Sequence, residues 1–220
     1  MIHALDSDAL HQRLSEALAQ HAVPGASLAV RVGSERLAVT AGVTSTASPV
    51  DIDEHTLFLV GSVAKVWTAT LVMQLVDEGL LRLDEPVNAY LDPPLELVDP
   101  KVAEQVTVRQ LLTHTAGFLG DVQEPASRGD DAVALAVANL ADVPIVHAPG
   151  ALHSYSNSGY DVLGRVVECV TGQTWDEALR SRLVQPLGLR RTESLPERVL
   201  LHRAAVGHER DPETGEVTPV

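Results

Sequence analysis

From Val63 to Val76 apolar residues fall at Val63, Ala64, Val66, Trp67, Ala69, Leu71, Val72, Met73, Leu75 and Val76. That spacing surrounds a helix with hydrocarbon instead of striping one face, so the helix is expected to be buried and the chain organised around it. Gly61-Ser62 opens the run, and Lys65 follows Ser62 by three positions, within reach of its hydroxyl on a helix surface. Unpaired N–H groups and the positive end of the helix macrodipole converge at that first turn.

Lys65 and Lys101 are the only lysines, and every other cation is an arginine. Arginine does not deprotonate, whereas a lysine desolvated near a helix N-terminus can lose its proton and act as a base. Two readings of the pair stay open on these residues. Ser62 is either a nucleophile with Lys65 as its proton acceptor, or an N-cap serine beside a lysine that snorkels to water.

The flanks supply the other elements. Asp8 to His21 has the apolar spacing of an amphipathic helix, stopped by Pro24-Gly25. Leu28, Val30 and Val32 alternate on one face, and Gly33-Ser34 turns that strand back into Arg36 to Thr40 as a hairpin. Two strands make a marginal sheet, so others must come from elsewhere. Beyond Ser62 the pattern is helical to about Leu189. A short helix is expected after Asp84-Glu85-Pro86, and another is opened by the Thr107 to Gln110 capping box. Ala132 to Leu140 forms the next, Tyr160 to Val170 a longer one closed by Gly172, and Thr174 with Glu177 opens the last. The stretch from Gly120 to Asp131 is expected to be an exposed loop.

A length of 220 residues and ample apolar content make the chain globular, and a net charge of −14, spread along it, argues against nucleic acid or an anionic membrane as partner. The longest apolar candidate for a span, Ala132 to Ala141, is too short and contains Asn139. The start of the chain lacks the basic and apolar regions of a secretory signal, so a cytoplasmic location is expected. Cys169 is the single cysteine and reads as core packing. The histidines, His202 and His208 among them, show no metal-ligand spacing, so neither a metal nor another cofactor is expected.

A second constellation lies between two helices, at His153-Ser154-Tyr155-Ser156-Asn157-Ser158-Gly159-Tyr160. Tyr155 and Asn157, two apart on a turning loop, can point the same way. The plainer alternative is a capping loop in which Asn157 or Ser158 caps the next helix and Tyr155 packs.

Together, Ser62-x-x-Lys65 and Tyr155-x-Asn157 resemble the motifs of the serine β-lactamase and penicillin-binding-protein superfamily, in the branch of class C β-lactamases, DD-peptidases and class VIII esterases. The resemblance extends over Val23 to Ser27, Thr56-Leu57-Phe58, Leu111 to Phe118, Pro149-Gly150 and Gln185 to Leu189, most of the chain from Ala22 to Thr192. It implies an α+β, β-lactamase/transpeptidase-like fold. Residues 1–61 would hold the N-terminal helix and first strands of an α/β subdomain, 62–192 a mostly helical subdomain, and 193–220 the start of a return to the first.

By the same resemblance Ser62 is the acylated nucleophile, Lys65 the group that accepts or relays its proton, Tyr155 a partner in acid/base work, and Asn157 the residue that holds Lys65 and the substrate's acyl amide. His114 lies in a matched stretch and is expected to shape its loop by hydrogen bonding. Trp67 and Phe118 lie near the motifs and are expected in the core. The implied reaction is acyl transfer from a small-molecule or peptide ester or amide, as an esterase, D-amino peptidase, β-lactamase or thioesterase-like cyclase.

The superfamily's third motif, Lys-Thr-Gly or His-x-Gly on a later strand, does not occur. Glu213-Thr214-Gly215 instead has the surroundings of a turn between short strands. The antiparallel sheet is therefore expected to be incomplete within these residues, and the chain to be the N-terminal part of a longer enzyme. The rival reading is a non-catalytic ligand-binding member or an inactive fragment.

Overall fold

The computed structural model describes residues 6–122 and 127–220. Two compact units divide the chain, one comprising Met1–Val60 with Arg191–Val220 and the other Gly61–Arg190.

The first unit begins with α1, Ser7–His21, capped by Asp6, whose carboxylate accepts from the N–H groups of Asp8 and Ala9. The helix ends at Ala22 in the left-handed region, and the hairpin follows as β1, Gly25–Val32, and β2, Glu35–Gly42. Their antiparallel register runs from Gly25 opposite Gly42 to Val32 opposite Glu35, and α1 packs on β2. Gly42, at φ +84°, has no room for a side chain: an added methyl would run into the Pro24 carbonyl. That close approach lets the Val43 N–H donate to Pro24 O at 2.9 Å.

The second unit opens with a 3₁₀ turn over Gly61–Ala64, and the α-helical hydrogen bonding of α2 starts only at Lys65, running Lys65–Asp77. Ser62 therefore sits one turn ahead of the α-helix, not inside its first turn. The expectation of burial on every side also fails. Thr68, Leu71, Val72 and Leu75 are buried, but Val63 and Val66 are each 63 % exposed. The reason is that α2 packs along one side only, against the later helix Ser158–Thr171 and the segment after it, which leaves the face of Val63 and Val66 open.

Short helices follow: α3, Pro100–Ala103; α4, Val108–Leu112, with the Thr107 capping box formed; and α5, Ala132–Ala138. After Asp84-Glu85-Pro86 only a 3₁₀ turn forms, over Val87–Ala89. Arg109 grips Asp84 through two hydrogen bonds of 2.6 and 2.8 Å, tying that turn to α4.

The central element is α6, Ser158–Thr171, which packs against α2, α4, α5 and α7, Trp175–Leu179. Gly172 ends it in the left-handed region, and the Thr174–Glu177 capping box opens α7, which continues into a π-helical turn over Arg180–Val184. One apolar core joins these helices through Leu71, Leu75, Leu111, Phe118, Val162 and Leu163, each at most 2 % exposed. Side chains buried so fully contribute about 1.5–3 kcal/mol apiece. Trp67 and Cys169 pack on the edge of that core as partly buried residues.

The chain then returns to the first unit through α8, Pro196–Val199, and a second antiparallel pair, β3, His208–Arg210, with β4, Val217–Pro219. Asp211 caps the intervening turn, accepting from the N–H groups of Glu213 and Thr214. The sheet content of the described residues is thus two separate two-stranded ribbons. The architecture is α+β with an incomplete antiparallel sheet.

Candidate active site

Ser62, Lys65, Tyr155 and Asn157 all belong to the second unit and meet at the open end of α2. Gly61, at φ +52°, supplies the left-handed step that leads the chain into the 3₁₀ turn carrying Ser62. Lys65 Nζ lies 3.2 Å from Ser62 Oγ and 2.6 Å from Asn157 Oδ1. The amine also lies 4.9 Å from the centroid of the Tyr155 ring and 5.7 Å from that of Tyr160.

Tyr155, half-exposed, has its phenol drawn below the ordinary tyrosine range, first by hydrogen bonding to Lys65 and then to Ser62, with the Asp121 carboxylate opposing. A cationic or polar neighbour favours the tyrosinate, so the phenol is readied to give up or take back a proton. Tyr160 and Tyr90 move the other way because burial penalises their charged forms.

The Tyr155 loop owes its shape to residues that neither motif includes. Asn157 stands at the N-cap position of α6, but its side chain makes no capping bond. The buried Ser156 Oγ supplies one instead, accepting from the Gly159 N–H at 2.8 Å. Caps of this kind are worth about 1 kcal/mol, and this one leaves the Asn157 amide unoccupied by helix capping.

Gly120, expected in an exposed loop, is buried. Its carbonyl accepts from the N–H groups of Asn157 and Ser158 at 2.7 and 3.0 Å. A methyl added at Gly120 would stand 2.5 Å from both Ser156 Cα and Tyr155 O, so only glycine permits the approach. Next to it, Asp121 Oδ1 accepts from Asn157 Nδ2 at 3.0 Å. Residues 123–126 of that loop lie outside the described residues.

Sequence reasoning missed Gly120, Asp121 and Ser156. The one signal for Gly120 and Asp121 was their position two and three residues after the matched Leu111 to Phe118 stretch. Phe118 is core, as expected, and its backbone bridges to Ile145.

A recess of about 290 Å³ adjoins Lys65 and Asn157, lined also by Thr68, Tyr160, Asp161 and Trp175. Trp175 Nε1 donates to Thr68 Oγ1 at 3.1 Å, which fixes one wall. Asp161 presents its carboxyl there, where loss of surrounding water raises its pKa and Lys65 opposes the rise. Among the described residues no group of three or more His, Cys, Asp or Glu side chains is arranged to hold a metal ion, and no helix is long and apolar enough to cross a membrane.

A serine hydroxyl beside an amine, with a phenol of depressed pKa against both, is an arrangement for nucleophilic acyl transfer. The sequence profile of the family described as Beta-lactamase matches residues 10–220. Penicillin-binding protein 4 of Amycolatopsis lactamdurans is 46 % identical over 197 residues, which cover 90 % of this chain and 51 % of that protein. Esterase EstB of Burkholderia gladioli is 32 % identical over 209 residues, covering 85 % and 52 %. Among solved structures, the penicillin-binding protein homologue from Pyrococcus abyssi superposes with a TM-score of 0.80 at 29 % identity, covering 98 % of this chain and 50 % of that one. The chain spans about half the length of the curated relatives it matches.

Proposed function

The chain belongs to the beta-lactamase family, and on that premise we propose that it carries the acylating centre of a serine hydrolase or acyltransferase acting on an ester or amide. The observation behind this reading is the placement of Lys65 Nζ between Ser62 Oγ and Asn157 Oδ1, with the Tyr155 phenol against the same amine.

Ser62 Oγ adds to the acyl carbonyl carbon while its proton passes to the unprotonated member of the Lys65–Tyr155 pair. The tetrahedral adduct then collapses. The leaving group takes that proton, and the acyl group remains esterified on Ser62. Water or another nucleophile adds to the acyl carbonyl, gives its proton to the same pair, and Ser62 leaves with it. Asn157 holds the Lys65 amine in line throughout. The recess beside Asn157 has room for the acyl side chain. The Ser62 N–H, at the start of the unit's first turn, is the oxyanion donor this stretch supplies. A second donor is worth on the order of a hundredfold in rate, so full activity belongs to the whole protein.

The relatives' names include a penicillin-binding protein and an esterase, and the substrate within that range is set by loops that a shared fold does not determine. The test is intact-protein and peptide mass spectrometry of the full-length gene product after treatment with a fluorophosphonate probe. A stoichiometric adduct on Ser62, abolished in Ser62→Ala, is expected. An unmodified Ser62 alongside ligand affinity that survives Ser62→Ala would make the protein a binding module instead.

A further inference from the structure

The imidazole of His114 lies beneath the Tyr155 loop. Its backbone takes φ +57°, one of two non-glycine residues among those described to do so, and it falls between α4 and the Gly117 turn. From there Nδ1 accepts the Ser156 N–H at 3.0 Å, and the His114 carbonyl accepts the Ser154 N–H at 2.8 Å. The two bonds bracket Tyr155. The ring also stacks, tilted by 31° with centroids 4.6 Å apart, on Tyr155, and by 32° at 5.1 Å on Tyr160, while His153 meets it edge-on at 5.7 Å.

An N–H pointing at Nδ1 requires that nitrogen to be unprotonated. A proton there would set two donors against each other and remove the acceptor that holds the residue between Tyr155 and Asn157. The surroundings oppose such a proton. The groups facing the ring are His153, Tyr155, Tyr160 and the Lys65 amine. Burial first, then His153 and Lys65, depress the His114 pKa. Asp121, the nearby carboxylate, acts on Tyr155.

We infer that His114 is a positioning residue whose neutral imidazole holds the Tyr155 phenol against Lys65 and Ser62, and whose protonation releases the Tyr155–Asn157 loop and switches the centre off. The inference rests on the reading that Ser62 is acylated with help from Tyr155, and it adds an acid limb to the reaction that is set by none of the four motif residues.

The variant that isolates it is His114→Asn. The amide Oδ1 falls where Nδ1 does, accepts the same N–H, does not titrate, and asparagine tolerates a positive φ. Fluorophosphonate labelling of the full-length protein would be followed from about pH 8 to about pH 4, reaching below the range in which an ordinary histidine titrates because the His114 pKa is lowered. Wild type should lose labelling rate steeply toward the acid end. His114→Asn should stay within about fivefold of wild type at neutral pH and lose that acid limb, whereas His114→Leu should fall at least about tenfold at every pH.

A second readout does not depend on acylation. The Ser156 amide resonance should shift with pH in wild type and not in His114→Asn. An acid limb retained in His114→Asn, or a Ser156 resonance blind to pH in wild type, overturns the inference. Ser156 titrating as described while Ser62 never labels would instead sink the acylation reading and leave the His114 coupling standing.

Discussion

Asp121 decides which way the Asn157 amide faces. By accepting from Asn157 Nδ2 at 3.0 Å it turns Oδ1 toward Lys65 Nζ, 2.6 Å away; a flipped amide would present a donor to an amine. The carboxylate belongs to the loop after Phe118, whereas Asn157 opens α6. The geometry of the candidate site is therefore held from both of the segments that flank α5.

Asp121→Ala should slow fluorophosphonate labelling of Ser62 by about three- to tenfold, because losing an exposed charged hydrogen bond frees the amide to flip without removing it. Asp121→Asn, which keeps an acceptor, should recover most of the rate. Equal labelling in wild type and Asp121→Ala would mean that the amide is held by Lys65 alone.

Tyr155 should be the first of the three tyrosines to ionise as pH rises, since Tyr90 and Tyr160 are both shifted upward. The sign follows from its partners. Lys65 stabilises the phenolate, so the folded-state pKa lies below the unfolded value of about 10, and folding is favoured progressively once pH exceeds the folded value. An ultraviolet alkaline titration should show one early tyrosinate step. Tyr155→Phe should abolish that step, and Lys65→Met should move it to higher pH. An early step that survives Tyr155→Phe would place the perturbed phenol elsewhere.

Gly120→Ala should destabilise the second unit by about 1–3 kcal/mol, because the methyl would overlap Ser156 Cα and Tyr155 O. The backbone must move to make room, so Ser62 labelling should fall together with the melting temperature. A variant that melts and labels like wild type would show that the Tyr155 loop can shift without consequence.

Periodicity and local chemistry carried the reading of elements whose determinants lie close together in sequence. The hairpin turns at Gly33, both capping boxes form, and Gly172 closes α6, since each needs only neighbours within a few positions. The same local reasoning overextended at α2. Its apolar ring predicted burial on every side, but burial depends on what packs against each face, and Val63 and Val66 lie open. Gly120 was misread for the complementary reason. A small polar stretch looks like an exposed loop until another backbone is laid against it.

The four motif residues could be singled out from the sequence because a serine and a lysine three apart, and a tyrosine and an asparagine two apart, are short-range patterns with a chemical reason. That the two pairs share one centre was an inference from resemblance alone. Their meeting is a tertiary fact, since Lys65 and Asn157 are 92 positions apart and are joined because α2 and α6 pack side by side in the same core. The supporting bonds from Asp121 to Asn157, across 36 positions, and from His114 to Ser156, across 42, have no periodic signature. Sequence alone therefore determined which side chains are the candidates for the chemistry and which local elements bear them. Tertiary structure alone decided which amide face, which tautomer and which backbone approach hold them together, because a hydrogen bond is set by distance and direction in space, and neither is written in the spacing of residues along a chain.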